Sequence, residues 1–141
     1  LIDRTDNVLL EMRIPAQKGD VLNKLTLQFG NETNLSDIKA IRLYYSGTEA
    51  PAREGSHFSP VAYVNSFTPG KTRTANLSYS VKQDEITTPS NSITLKSAQP
   101  MVKGENYYWV SIEMKPETSL LSRVSFTMPE ATINNKPALS V

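Results

Sequence analysis

Apolar and polar residues alternate along most of this chain, and no stretch sustains the three-to-four-residue spacing of an amphipathic helix. The longest strand-like run is Glu105-Asn106-Tyr107-Tyr108-Trp109-Val110-Ser111-Ile112-Glu113-Met114-Lys115, rich in the aromatic and β-branched residues that fit a pleated sheet. Successive strand side chains point to opposite faces, so Tyr108, Val110, Ile112 and Met114 make one side and read as a core face. Tyr107, Trp109, Ser111 and Glu113 make the other, which is either covered or presented to a partner. The run is expected to be the central strand.

The rest of the pattern predicts strands and turns. Val8, Leu10, Met12 and Ile14 alternate with Leu9, Glu11 and Arg13 as far as Pro15. After the turn Gln17-Lys18-Gly19-Asp20, Val21, Leu25, Leu27 and Phe29 lie opposite Lys24, Thr26 and Gln28, a second strand expected to form a hairpin with the first. Leu35-Ser36-Asp37-Ile38 suits a single helical turn capped by Ser36, and Ile41, Leu43 and Tyr45 then alternate with Ala40, Arg42 and Tyr44. Residues 47–60 form a long loop, 61–64 a short strand, and 65–76 a second long loop, the most basic in the chain. Further strands are predicted at Leu77, Tyr79 and Val81, at Ile93 and Leu95, and from Val124 through Phe126 and Met128, with a closing hairpin at Asn134-Asn135. Roughly nine short strands without a helix describe an all-β fold, an antiparallel β-sandwich of the jelly-roll or immunoglobulin-like kind. At 141 residues it reads as a single domain spanning 1–141.

Composition removes several classes of function. Fifteen basic and 14 acidic residues leave no net field to draw nucleic acid or an anionic membrane, so neither is an expected partner. Without cysteine there is no disulfide framework, thiolate zinc site or thiol nucleophile. No run approaches the ~18 apolar residues of a membrane span, and the first residue is Leu, which suggests a piece of something longer. His57 is the only histidine, there is no Gly-x-Ser-x-Gly elbow, and Asp3 with Asp6 makes a poor ligand set. No catalytic residue, metal or cofactor is assigned. Asn31-Glu32-Thr33, Asn34-Leu35-Ser36 and Asn76-Leu77-Ser78 match the N-glycosylation pattern and mark exposed turns.

Three blocks, Leu22 to Gly30, Leu35 to Gly47 and Lys103 to Ser111, resemble in order and spacing the N-terminal domain of bacterial BNR-repeat sialidases, the Bacteroides type in particular. The resemblance covers nearly the whole chain. It implies a carbohydrate-binding-like β-sandwich preceding a six-bladed propeller that carries the exo-sialidase site, in a protein exported to the periplasm or cell surface that releases terminal sialic acid from host glycans. Met12-Arg13-Ile14-Pro15 is similar to the family's Phe/Tyr-Arg-Ile-Pro motif, whose arginine holds the substrate carboxylate, but it lacks the aromatic. None of the five aspartates has glycine two positions later, so no Ser-x-Asp-x-Gly-x-x-Trp box occurs. Six blades of about 45 residues would need about 270. Met12 and Ile14 are therefore read as core, Arg13 as an outward strand residue, and the catalytic propeller as lying outside this chain.

Two roles remain open. A carbohydrate-binding module would stack an aromatic on a sugar ring and hold hydroxyls, or a sialic acid carboxylate, with amides and guanidinium groups. A docking or spacer domain packing on the propeller would use interface aromatics equally well. For binding sialylated or galactose-containing glycans, one candidate set is the strand face with Arg42, Tyr44, Tyr107 and Trp109. The other is the pair of long loops, with Arg53, His57 and Phe58 in one and Phe67, Lys71 and Arg73 in the other, ranked first because loops on a rigid scaffold commonly carry recognition.

Overall fold

The computed structural model describes residues 7–48, 61–63, 66–67, 80–116 and 124–138. The strands are β1 (Asn7–Ala16), β2 (Leu22–Phe29), β3 (Ile38–Tyr45), β4 (Val61–Tyr63), β5 (Ser66–Phe67), β6 (Val81–Ile86), β7 (Ser92–Lys96), β8 (Gly104–Met114), β9 (Val124–Ile133) and β10 (Lys136–Pro137). They form two antiparallel sheets. Sheet one runs β4-β1-β8-β3-β6, and sheet two runs β10-β9-β2-β7, with β5 also paired to β9. β8 is central in sheet one, as its composition predicts. Neighbouring β1 with β8 and β3 with β6, while β1 and β2 lie in different sheets, is jelly-roll rather than immunoglobulin-like nesting, in which the first two strands share a sheet.

The inward faces follow the period-2 pattern closely. Tyr108, Val110, Ile112 and Met114 of β8 join Ile41, Leu43 and Tyr45 of β3 in a core closed by Leu25, Leu27 and Phe29 of β2 and Ile93 and Leu95 of β7. The departures come from bulges. Val8 pairs with Ser111 but Leu10 with Val110, so Leu9 is an extra residue in β1. Across that bulge the face inverts: Leu9 enters the core, and Val8 lies on the Ser111 side, outside the expected set. A similar shift beside Asn23 brings Leu22 into the core in place of Val21.

Other local expectations need correction. β1 and β2 do not make a hairpin; the turn between them is a corner from one sheet to the other. Inside the turn the Asp20 amide donates to the Gln17 carbonyl (3.1 Å), and Met101 accepts from the Gly19 amide (2.9 Å) and donates to the Asp20 carbonyl (2.7 Å). β1 also continues through Pro15, because β4 flanks it only at Leu10–Met12 and the missing N–H of proline lies where it disturbs no described ladder. The short 3-10 turn Leu35–Asp37 is capped by Asn34, whose side chain accepts from the Ser36 amide, and not by Ser36. In β6 the described strand begins only at Val81, which is more than half exposed, and Ile86 is the residue that reaches the core. Leu77 and Tyr79 lie outside the described residues. The closing hairpin forms as predicted, with Asn134 and Asn135 at φ 52° and 63°, the left-handed pair of a two-residue type I′ turn.

Asn106 gathers the buried polar groups at one end of the core. The Tyr45 hydroxyl donates to Asn106 Oδ1 (2.6 Å), which also accepts from the Val102 amide, while Asn106 Nδ2 donates to the carbonyls of Val102 and Gly104. This one amide closes the bend that leads into β8. Tyr108 packs beside Tyr45 with ring centroids 4.8 Å apart, and burial pushes its phenol up to about 12. The folded chain therefore holds a proton that the unfolded chain loses near 10, so stability is intact below about pH 10 and falls between 10 and 12. Urea titrations at pH 9 and pH 11 are expected to show this loss in the wild type and a smaller one in Tyr108→Phe; identical losses would remove Tyr108 as the cause.

Candidate functional site

Strand pairing builds the outer face of sheet one. Register places Glu11 beside Trp109, Arg13 beside Tyr107, Tyr44 beside Trp109 and Arg42 beside Ser111. In a twisted antiparallel pair such directly opposed residues share a face and touch. The Tyr44 ring stacks on the Trp109 indole, with centroids 4.6 Å apart and planes 18° from parallel, and indole Nε1 donates to Ser80 Oγ at 3.4 Å. Trp109 is 0% exposed, and its neighbours Glu11 (3%) and Ser111 (0%) are buried with it. The candidate Trp109 is thus enclosed by its neighbours in the sheet. Its faces are spent inside the fold, where an aromatic pair adds about 0.5–1.5 kcal/mol beyond area burial. Tyr44 and Tyr107 remain half-buried.

The rest of this face is an ion-pair lattice. Arg42 bridges Glu85 (Nε to Oε2, 2.5 Å) and Glu113 (Nη2 to Oε1, 2.8 Å), with Lys82 and Lys39 completing the two ends. The Arg42 guanidinium holds the Glu85 carboxyl below its usual range. With both sides of its fork engaged by protein carboxylates, Arg42 is occupied as an anchor of β3 to β6 and β8.

The loop candidates fall elsewhere. Arg53, His57, Phe58, Lys71 and Arg73 lie outside the described residues. The backbone of Phe67 belongs to β5 and pairs with Val124 in sheet two, so it does not share a sheet with Tyr44, Tyr107 and Trp109; its side chain is also outside what is described. Among the described residues, no three His, Cys, Asp or Glu side chains cluster as metal ligands, and no helix is long and apolar enough to cross a membrane.

The segment Met12-Arg13-Ile14-Pro15 has a structural explanation of its own. Met12 is buried and Ile14 packs against the core, while Arg13 Nε meets Glu105 Oε2 at 3.2 Å across the β1–β8 pair. Arg13 is an outward strand residue neutralised by its cross-strand neighbour, as the alternation predicts. The 141-residue chain is accordingly expected not to cleave a fluorogenic sialoside. Turnover in a pure sample that is abolished by Arg13→Ala would overturn this.

One surface was missed in the sequence. Ile14 and Pro15 of β1 face Met128, Ala131 and Ile133 of β9, with Ala138 alongside, across a mostly apolar cleft of about 260 Å³. Met12 and Ile14 read as core positions and Arg13 as outward, and nothing in the alternation reveals that the two strand ends leave a gap between them.

Comparison with known proteins agrees with the architecture. A family model described as the N-terminal domain of BNR-repeat neuraminidase matches residues 1–137. A sialidase of Bacteroides fragilis (strain YCH46) is 47% identical over 140 residues, which is 99% of this chain and 26% of that protein. The solved structure of Hadza microbial sialidase Hz136 superposes with a TM-score of 0.80 at 46% identity, covering 100% of this chain and 28% of that one. The chain spans about a quarter of the length of these relatives and corresponds to their N-terminal domain, with the catalytic domain outside it. The three sequence blocks, the two-sheet sandwich and these matches agree: the chain belongs to the family of N-terminal domains of BNR-repeat neuraminidases.

Proposed function

We propose that this domain is the non-catalytic accessory part of an exported exo-α-sialidase, and that its main task is to dock on the catalytic β-propeller of the same polypeptide and hold it in position. The burial of Trp109 supports this reading. The one tryptophan of the chain, the residue best suited to sugar stacking, is committed to the fold, and the adjoining guanidinium of Arg42 is committed to two carboxylates. In this reading the longer protein acts outside the cytoplasm and releases terminal sialic acid from glycans, a role carried over from the sialidases it resembles.

Glycan binding is the alternative, and it now rests on the long loops with Arg53, His57, Phe58, Phe67, Lys71 and Arg73, and on the half-buried Tyr44 and Tyr107. A guanidinium such as Arg73 would take the carboxylate of a sialylated ligand, and an aromatic would take the apolar face of a sialoside or galactoside. Titration of the 141-residue chain with the separately expressed propeller, together with a glycan array, separates the two. Docking predicts saturable propeller binding and a blank array. Reproducible sialoside or galactoside signals that vanish in folded Arg73→Ala, with no propeller binding, would replace docking by glycan recognition.

A further inference from the structure

Among the described residues, neither sheet edge is completed beside the cleft along β1. β4 covers β1 only from Leu10 to Met12, so Arg13, Ile14 and Pro15 have no described strand beside them on that side. On the facing edge β5 covers Val124 and Ser125 and β10 covers Thr132 and Ile133, and no described strand lies beside the Met128 stretch of β9 between them. Ile14, Met128 and Ile133 are half-buried against the core, and the fully packed Leu22, Met12 and Ala131 lie beneath. The Arg13–Glu105 pair stands on the rim. The most exposed large apolar residues elsewhere, Val81 and Val102, belong to no described cleft, and apolar side chains exposed one at a time are ordinary.

We propose that this cleft is where the catalytic part of the longer polypeptide docks, inserting an apolar side chain between Ile14 and Met128. The proposal rests on the docking reading above and adds its location. The matched family is an N-terminal domain, and the relatives are roughly four times as long, so their remaining length continues from the C-terminal end of this domain. That end is fastened to the cleft: the Ala138 amide donates to the Ala131 carbonyl at 2.9 Å, and both residues line the wall. A partner tethered through that end meets the cleft at a raised effective concentration, so a modest apolar contact with a polar rim is enough to hold the two parts together. The Met-Arg-Ile-Pro segment then works as one wall of an interdomain joint.

Methionine oxidation of the full-length protein tests this. The chain has four methionines; Met12, Met101 and Met114 are at most 3% exposed, and Met128 alone is half-buried at the cleft. Peroxide attacks exposed thioethers first. With the cleft occupied, Met128 is expected to oxidise as slowly as the other three, and Ala138→Asp, a change at an exposed position on the wall, is expected to accelerate Met128 alone by about tenfold, the effect of about 1.4 kcal/mol lost from docking. Thermal melts confirm that the variant is folded. Rapid oxidation of Met128 in the wild-type protein overturns the proposal, and so does protection that Ala138→Asp leaves unchanged. Small-angle scattering on the same wild-type sample then separates the two failures. A compact particle with an oxidisable Met128 keeps docking and removes the cleft, whereas a flexibly tethered pair of lobes removes both.

Discussion

Trp109→Ala is expected to cost about 3–5 kcal/mol of folding stability, the range for truncating a large aromatic in a packed interior. The indole is fully buried, stacked on Tyr44 and bonded to Ser80, so its removal leaves a void whose lining is held by the β1–β8 and β3–β8 ladders and cannot easily collapse. Urea denaturation would measure the loss. The same variant is expected to leave glycan or propeller affinity unchanged per folded molecule, because no surface of Trp109 reaches a ligand. A variant as stable as the wild type would show that the indole is not the packing residue described. A double-mutant cycle with Tyr44→Ala isolates the stacking term, expected at about 0.5–1.5 kcal/mol.

Ile112→Ala and Leu43→Ala are each expected to cost about 2–5 kcal/mol. Both are 0% exposed on the inward face of sheet one, where Ile112 sits beside Ile41, and Leu43 beside Val110, within the core. Ser111→Ala, one residue away and pointing to the other face, is the internal control. Although Ser111 is also buried, it surrenders only a hydroxyl, and about 0.5–1.5 kcal/mol is expected. Equal melting temperatures for Ile112→Ala and Ser111→Ala would mean that the faces of β8 are inverted.

The fold was legible because its main signal is local. Alternation in Tyr108 to Met114, Ile41 to Tyr45 and Leu25 to Phe29 assigns inward faces without knowledge of any partner strand, and the Asn134-Asn135 pair dictates its own turn. The errors sit where a neighbour overrides that signal. Leu9 reads as outward by strict alternation, and only its pairing with β8, which inserts an extra residue, turns it inward. The corner at Gln17–Asp20 has the composition of a hairpin turn, but Met101 and Asn134, distant in sequence, take its hydrogen bonds.

The same division holds for the candidate site. Residue types alone determined that no thiol and no box of the propeller is present and left His57 as the one histidine a triad could use, and the order of three blocks already pointed to the N-terminal domain of a sialidase. Which aromatics are available was decided by the tertiary structure, because exposure is a property of what lies above a residue, and that is set by packing and not by period. Tyr107 and Trp109 stand two positions apart on one strand face, yet one is half-buried and the other fully enclosed, since Trp109 lies under the stack with Tyr44 and beside Ser80. The cleft between Ile14 and Met128 is likewise invisible along the chain: its walls come from β1 and β9, far apart in sequence, which meet only when two sheets close over a shared core.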